Sequence, residues 1–192
     1  TNYQRNDFLQ MDNIVGPASA TLTFRVPVRG SGTAGTAPTF GEALKACGMR
    51  VVNVVSTSDT YSPRSVFDGA GGNRGQSYSV SVLVIGIRWA IKGGFGNVKF
   101  SAVTGEPMMA EFVFTGAYVA VADDALEAPT YQTTASPAFM GAVMAINYGG
   151  AFTPVAVENW SLDTGNIIAI RKDANNAAGV VGARIVGRRS VG

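Results

Sequence analysis

Six consecutive residues, Gly30-Ser31-Gly32-Thr33-Ala34-Gly35, spell the G-x-G-x-x-G turn that cradles a dinucleotide pyrophosphate. Glycines serve such a turn because the backbone must bend tightly and approach the phosphates closely. A strand-like run precedes the segment and another, Arg50 to Val55, follows it. Asp59 then stands at roughly the spacing of a ribose-binding carboxylate. Two acidic pairs are further candidates for proton transfer. Glu106 and Glu111 could share a neighbourhood across a hairpin, where a surface ion pair or a charged pore lining is a stronger reading than a general acid. Asp123 and Asp124 are adjacent, so an extended backbone turns them to opposite sides and a solvated turn is expected. The chain has no histidine, which excludes Ser-His and Cys-His nucleophile pairs and histidine-bearing metal sites. Its single cysteine, Cys47, rules out an intrachain disulfide framework and reads as a small buried thiol. No catalytic residue, metal ligand or cofactor is assigned on these grounds.

The elements around the glycines argue against the nucleotide turn. From Ala20 the chain alternates, with Leu22, Phe24, Val26 and Val28 on one side and Thr21, Thr23, Arg25 and Pro27 on the other. That is a half-buried strand, placed at a sheet edge by Pro27. A dinucleotide fold requires a first strand buried on both faces. Gly35 is followed by Thr36-Ala37-Pro38, which displaces the next helix by several residues. Thr39-Phe40-Gly41-Glu42 matches a T-x-x-E capping box, and Phe40, Leu44 and Cys47 form one apolar stripe ending at Gly48. One short helix, about 39–47, is expected there.

Residues 56–76 read as a long polar excursion. Short strands then follow in quick succession: Ser77 to Ile85, a tight turn at Gly86, Ile87 to Lys92, a break at Gly93, Gly94 and Gly96, then Asn97 to Val103. Beyond the turn at Thr104-Gly105-Glu106 comes Met109 to Phe114. Turns this short join antiparallel strands only. A second polar excursion spans Asp123 to Pro137. About four more strands are expected, at Gly141 to Asn147, Pro154 to Leu162, Ile167 to Arg171 and Val180 to Val186. Aromatic residues on strands, among them Trp89, Phe112, Phe114 and Trp160, read as core.

Composition points the same way. The 192 residues include 23 Val and 9 Ile against 6 Leu, with 24 Gly and 8 Pro, a balance that favours strands and turns. One domain, 1–192, is expected, with 1–19 as an N-terminal arm or loop. Charged residues make up 15% and the net charge is +2, which identifies no nucleic-acid binder. Arg184, Arg188 and Arg189 cluster near the end and read as a solvated face ahead of a local phosphate contact. No apolar run spans a bilayer and no signal peptide is evident, so no membrane partner is expected. A low charge content suits either a small water-exposed area or a subunit whose surface is covered by partner chains.

An ordered set of short blocks resembles the major tail tube proteins of long, flexible-tailed bacteriophages. The blocks are Gly30 to Pro38, Leu44-Lys45-Ala46-Cys47-Gly48, Tyr61-Ser62-Pro63, Gly105-Glu106, Phe112 to Tyr118, Ala128-Pro129-Thr130-Tyr131, Trp160 to Asn166, and Gly187-Arg188-Arg189. Each is weak alone; their order covers nearly the whole chain from Arg25. The resemblance implies a mainly β, antiparallel sandwich or barrel-like tail tube fold with one flanking helix. Subunits would form stacked hexameric rings, with part of each sheet joining its neighbours around a channel. The tape-measure protein and the genome would pass through it, and tail terminator and distal tail proteins would cap it. Localisation would be the virion tail, assembled in the host cytoplasm. Similar proteins extend further at both ends, so flanking segments are expected to be missing, and they tend to carry an acidic residue at the turn where Ile85 stands.

On this reading Gly30, Gly32, Gly35 and Pro38 form a flexible inter-subunit or loop segment. Gly86, Glu106 and Glu111 mark the hairpins that line the lumen or join rings, where few exposed Lys or Arg are expected and Lys99 is an exception. Other virion components, a head decoration or baseplate protein, and a dinucleotide-binding enzyme are the competing readings.

Overall fold

The computed structural model describes residues 16–64, 76–126, 128, 131–141, 144–148 and 150–188. Most of the expected arm over 1–19 lies outside them, as do 65–75 of the first excursion and Arg189. The fold is mainly β with one short helix. Its centre is an antiparallel sheet in the order β1-β6-β5-β4, formed by β1 (Ser19–Pro27), β6 (Met109–Asp123), β5 (Ile87–Val103) and β4 (Tyr78–Val84). As Pro27 suggests, β1 is an edge strand. A fifth strand, β9 (Asn159–Asp163), pairs with β5 beyond the end of β4, so the two share one side of the same long strand.

Alternation along these strands builds the core. Leu22, Phe24 and Val26 stand opposite Phe114, Phe112 and Ala110, which in turn oppose Gly96, Val98 and Phe100. The rings of Phe24, Phe112 and Phe114 stack with centroids 5.3–6.1 Å apart. Onto this face packs α1 (Gly41–Ala46) with Leu44 and Cys47 fully buried, and with Phe40 and Tyr61 at its flanks. Tyr61 belongs to the hairpin of β2 (Met49–Val54) and β3 (Ser58–Pro63). Phe95 and Ala117, which alternation turns to the opposite face, are also buried. So are Val180 and Ala183 of the hairpin formed by β10 (Asn166–Lys172) and β11 (Val180–Arg188), which packs against β5 and β6. Covered on both faces, the sheet has a sandwich-like architecture. A further hairpin, β7 (Met144–Tyr148) with β8 (Ala151–Val155), turns at Gly150.

Several expected boundaries are corrected. The helix has six residues, and no side chain caps its start: Thr39 donates instead to Gln132 Oε1 at 3.1 Å, and Glu42 bonds Lys45 and Tyr78. The capping-box pattern was met in sequence, but tertiary partners outbid the local one. Gly48 does end the helix, with φ +75°. Gly93, Gly94 and Gly96 do not break the chain. β5 runs through them for 17 residues, with a register shift between Lys92 and Phe95. They are there for close approach: a Cβ on Gly96 would lie 2.8 Å from the Phe114 ring and 3.0 Å from Cys47 Sγ, and one on Gly93 would lie 3.0 Å from the Val181 carbonyl. The strand expected at Met109 to Phe114 continues to Asp123. The first excursion contains β3, and Pro154 to Leu162 is two strands, each with a different partner.

Candidate functional site

The Gly30–Pro38 loop is built by packing against its own chain. The Gly32 and Gly35 backbones adopt φ +87° and +71°, a region natural to glycine. A Cβ on Gly35 would sit 2.4 Å from the Ser56 amide nitrogen, in the β2–β3 turn; one on Gly32 would sit 2.8 Å from Thr134 Oγ1. The Asn53 side-chain amide donates to the Gly35 carbonyl at 2.8 Å and to Asp59 Oδ1 at 2.5 Å. On the other side Gln132 donates to the Gly30 carbonyl, Thr134 to that of Ser31, Ser136 to that of Val28, and Arg29 to that of Thr134. Within the loop the Ser31 hydroxyl lies 2.9 Å from the carbonyls of Thr33 and Thr36, and accepts from the Thr33 amide. A flexible link is thus replaced by a pinned one, and the polar segment 131–136 does the pinning.

An open groove of about 480 Å³ runs between this loop and β3, lined in part by Pro38, Phe40, Asp59 and Tyr61. Its geometry differs from a nucleotide cradle. The helix starts at Gly41, whose amide donates to the Pro38 carbonyl at 2.8 Å. The Tyr61 hydroxyl covers that start, 2.2 Å from where a Gly41 Cβ would be. Asp59 is placed by Asn53 across the hairpin. Burial, with the Asp59 and Glu42 charges, pushes the Tyr61 phenol up. Burial likewise pushes the Tyr78 phenol, which donates to Glu42, up to about 12. Hydrogen bonds from Lys45 and then Tyr78 hold the Glu42 carboxyl below its ordinary value.

The second region is the long sheet where it runs past α1. Gly86 forms the β4–β5 turn with Ile85; both have positive φ, +77° and +52°, the signature of a tight two-residue hairpin. Glu106 lies in the β5–β6 turn at the other end of β5, about 50 Å away along a strand of this length. Its carbonyl accepts from the Phe139 amide at 2.8 Å. Glu111 lies on β6 and makes an ion pair with Arg25, as a surface pair was expected to do. The structure therefore does not bring Gly86, Glu106 and Glu111 together. Asp124 pairs with Arg88 at 3.0 Å, while Asp123 stands opposite Ile87 on β5.

Two faces distinguish this sheet. Register sets Arg25 opposite Glu111, Glu111 opposite Lys99 and Lys99 opposite Asp163, a ladder of alternating charge across β1, β6, β5 and β9. Lys99 is thus flanked by carboxylates. At the far end, the α1-side face carries Val82, Val84, Ile87, Trp89 and Val121. Trp89 is 53% exposed and Ile85, at the turn, 89%. Trp89 was expected in the core and is not there, because α1 ends before reaching it. The outer side of β4, and of β6 beyond Tyr118, carries no further strand among the described residues.

Sequence reasoning also missed a polar knot. Asn166 donates to the carbonyls of Cys47 and Gly96, and its amide donates to Asn97 Oδ1, which also accepts from the Thr164 hydroxyl. Its only signal was a turn-like Thr164-Gly165-Asn166. Cys47 is fully buried, and burial pushes its thiol up to about 12. Of the basic C-terminal residues, Arg184 is exposed on β11 opposite Ala169. Among the described residues no group of acidic and sulfur ligands could hold a metal, and no helix is long and apolar enough to cross a membrane. Comparison with protein-family models, curated proteins and solved structures finds no match.

Proposed function

We propose that this chain is a structural, self-assembling subunit of a phage tail tube, forming stacked hexameric rings around a channel for the tape-measure protein and the genome. The observation that carries the reading is the far end of the long sheet. Among the described residues it projects past α1 with edges on β4 and β6 that pair with no further strand, and with an apolar face exposed to water. Isolated monomers rarely expose such a combination, since open edges and contiguous apolar surface both invite association. Edge-to-edge addition of identical copies around a cyclic axis removes both liabilities. The resemblance of the ordered sequence blocks to tail tube proteins supports the same reading from a separate direction.

Electron microscopy of the purified protein in negative stain tests this directly. Long tubes of uniform width with six-fold end views are the expected result; isolated monomers or trimers at every concentration would overturn it.

A further inference from the structure

Where α1 hands over to the β2–β3 hairpin, basic side chains surround a small cavity that the tube reading leaves unused. We propose that this cavity binds one small oxyanion of the phosphate or sulfate type, with Arg64 as its principal ligand. The proposal stands whether or not the chain forms tubes.

Local structure brings the cations together. Lys45 lies in the last turn of α1, Gly48 turns the chain with φ +75°, and β2 begins at Met49. Met49 stands opposite Pro63 at the end of β3, and the next amide, that of Arg64, donates to the Gly48 carbonyl at 3.0 Å. Lys45, Arg50 and Arg64 thus line one cavity of about 210 Å³, together with Met49, Val51 and Gln76. No carboxylate lines it among the described residues. The whole chain has a net charge of only +2, so three cations around one cavity are a local concentration.

Two of these cations have partners already. Lys45 is held by Glu42 at 2.6 Å, and Arg50 is also engaged. Arg64 differs: its Nε is buried away from water and meets no acceptor. A buried donor on a charged group is costly to leave unmade, and an anion answers it best. The guanidinium presents its N–H groups as a planar fork that matches the oxygens of such an anion. The nearby Lys45 and Arg50 charges add attraction, which a divalent oxyanion gains twice over compared with a monovalent carboxylate. Gln76, exposed at the rim, supplies an amide donor. Size narrows the class further. The cavity is smaller than the roughly 300–1,000 Å³ of pockets that take cofactors and drug-sized ligands. At about 30 Å³ per water it equals about seven waters, room for one oxyanion with part of its hydration shell.

Calorimetric titration of the full chain with inorganic phosphate, at constant ionic strength, tests the site. One saturable event is expected, with sulfate competing for it. Arg64→Gln should weaken phosphate binding at least about tenfold, and Arg64→Lys, which keeps the charge and loses the fork, should fall between the two. Gln76→Glu sets a carboxylate at the rim and should weaken phosphate by a similar factor while leaving Arg64 in place. It carries the test should Arg64→Gln fail to fold. Absence of a saturable event in the parent chain overturns the proposal, as does affinity unchanged in both variants, the mark of general ion exclusion from the surface. Acetate binding as tightly as phosphate overturns the divalent class. Arg64-dependent binding of duplex DNA without any response to inorganic phosphate also overturns it, and gives these cations to a nucleic-acid surface instead.

Discussion

Val80 and Ile91 face each other across β4 and β5, and Ile91 is 4% exposed; one pair further along the same strands and on the same face, Trp89 opposite Val82 is 53% exposed. Residue type does not separate these pairs, and β4 keeps one unbroken register with β5 through both of them. What differs is the covering layer. α1 and the β2–β3 hairpin sit over the first pair, and α1 is six residues long. A hydrophobic strip on a strand states that a surface wants burial. It does not state whether the partner is a helix of the same chain or a neighbouring subunit.

The sharpest way to break this comparison is to truncate one large side chain in each region. Phe112 is fully buried and stacked against Phe24 and Phe114. Phe112→Ala should cost about 3–5 kcal/mol, read as a lower urea midpoint at unchanged slope. Trp89→Ala in the unassembled chain should cost about 1 kcal/mol or less, yet weaken assembly. Equal losses would show that the far end is already buried in the monomer.

Next in size is the glycine at the crossing of β5 with α1. Gly96→Ala puts a Cβ against the Phe114 ring and Cys47 Sγ, and overpacking of this kind should cost about 1–3 kcal/mol in thermal or chemical melts. A neutral result would mean that the α1 layer slides easily, which would blur the contrast between covered and uncovered halves.

A pH series reads the covered half from another side. The Cys47 thiol is pushed up from an ordinary 9.0 to about 12 by burial. The folded chain thus holds this proton more tightly than the unfolded one. Its contribution is intact below about pH 9 and is lost as pH rises toward about 12, so the melting temperature should fall across that window. The Tyr78 phenol, also pushed up to about 12, acts with the same sign. Cys47→Ala should make the fall shallower, and in the parent chain a thiol reagent should react only on unfolding.

The smallest effect belongs to the charge ladder across β1, β6, β5 and β9. Arg25→Ala should change stability by about 0–1 kcal/mol, because the arginine side chain is 69% exposed and water screens the pair. Its signature should appear in salt dependence rather than in the midpoint at high salt. A loss above that range would place the pair in a far drier setting than the sheet surface provides.

Much of the fold was legible in the residues. Alternation from Ala20 and from Tyr78, the Ile85-Gly86 turn and the apolar stripe of Phe40, Leu44 and Cys47 all follow from side-chain periods of 2 and 3.6, which depend on neighbours in sequence. The glycines at 93, 94 and 96 misled, because a glycine required by a long-range close approach looks the same as one that ends a strand. Thr39 misled for the same reason: a capping pattern is local, whereas Gln132, which takes its hydroxyl, is distant in the chain. Of the candidate site, the Gly30–Pro38 loop and the turns at Gly86 and Glu106 could be placed from sequence, but their separation by the length of β5 could not.

By itself, then, the sequence determined a β-rich chain with one short helix and a buried thiol, since composition and period encode those directly. Only the tertiary structure decided that the glycine loop packs on Ser56 and Thr134, that Lys99 lies between Glu111 and Asp163, and that the face carrying Trp89 outruns its helix. Each of these depends on register and on the length of a covering element, and both are set by contacts between residues far apart in the chain.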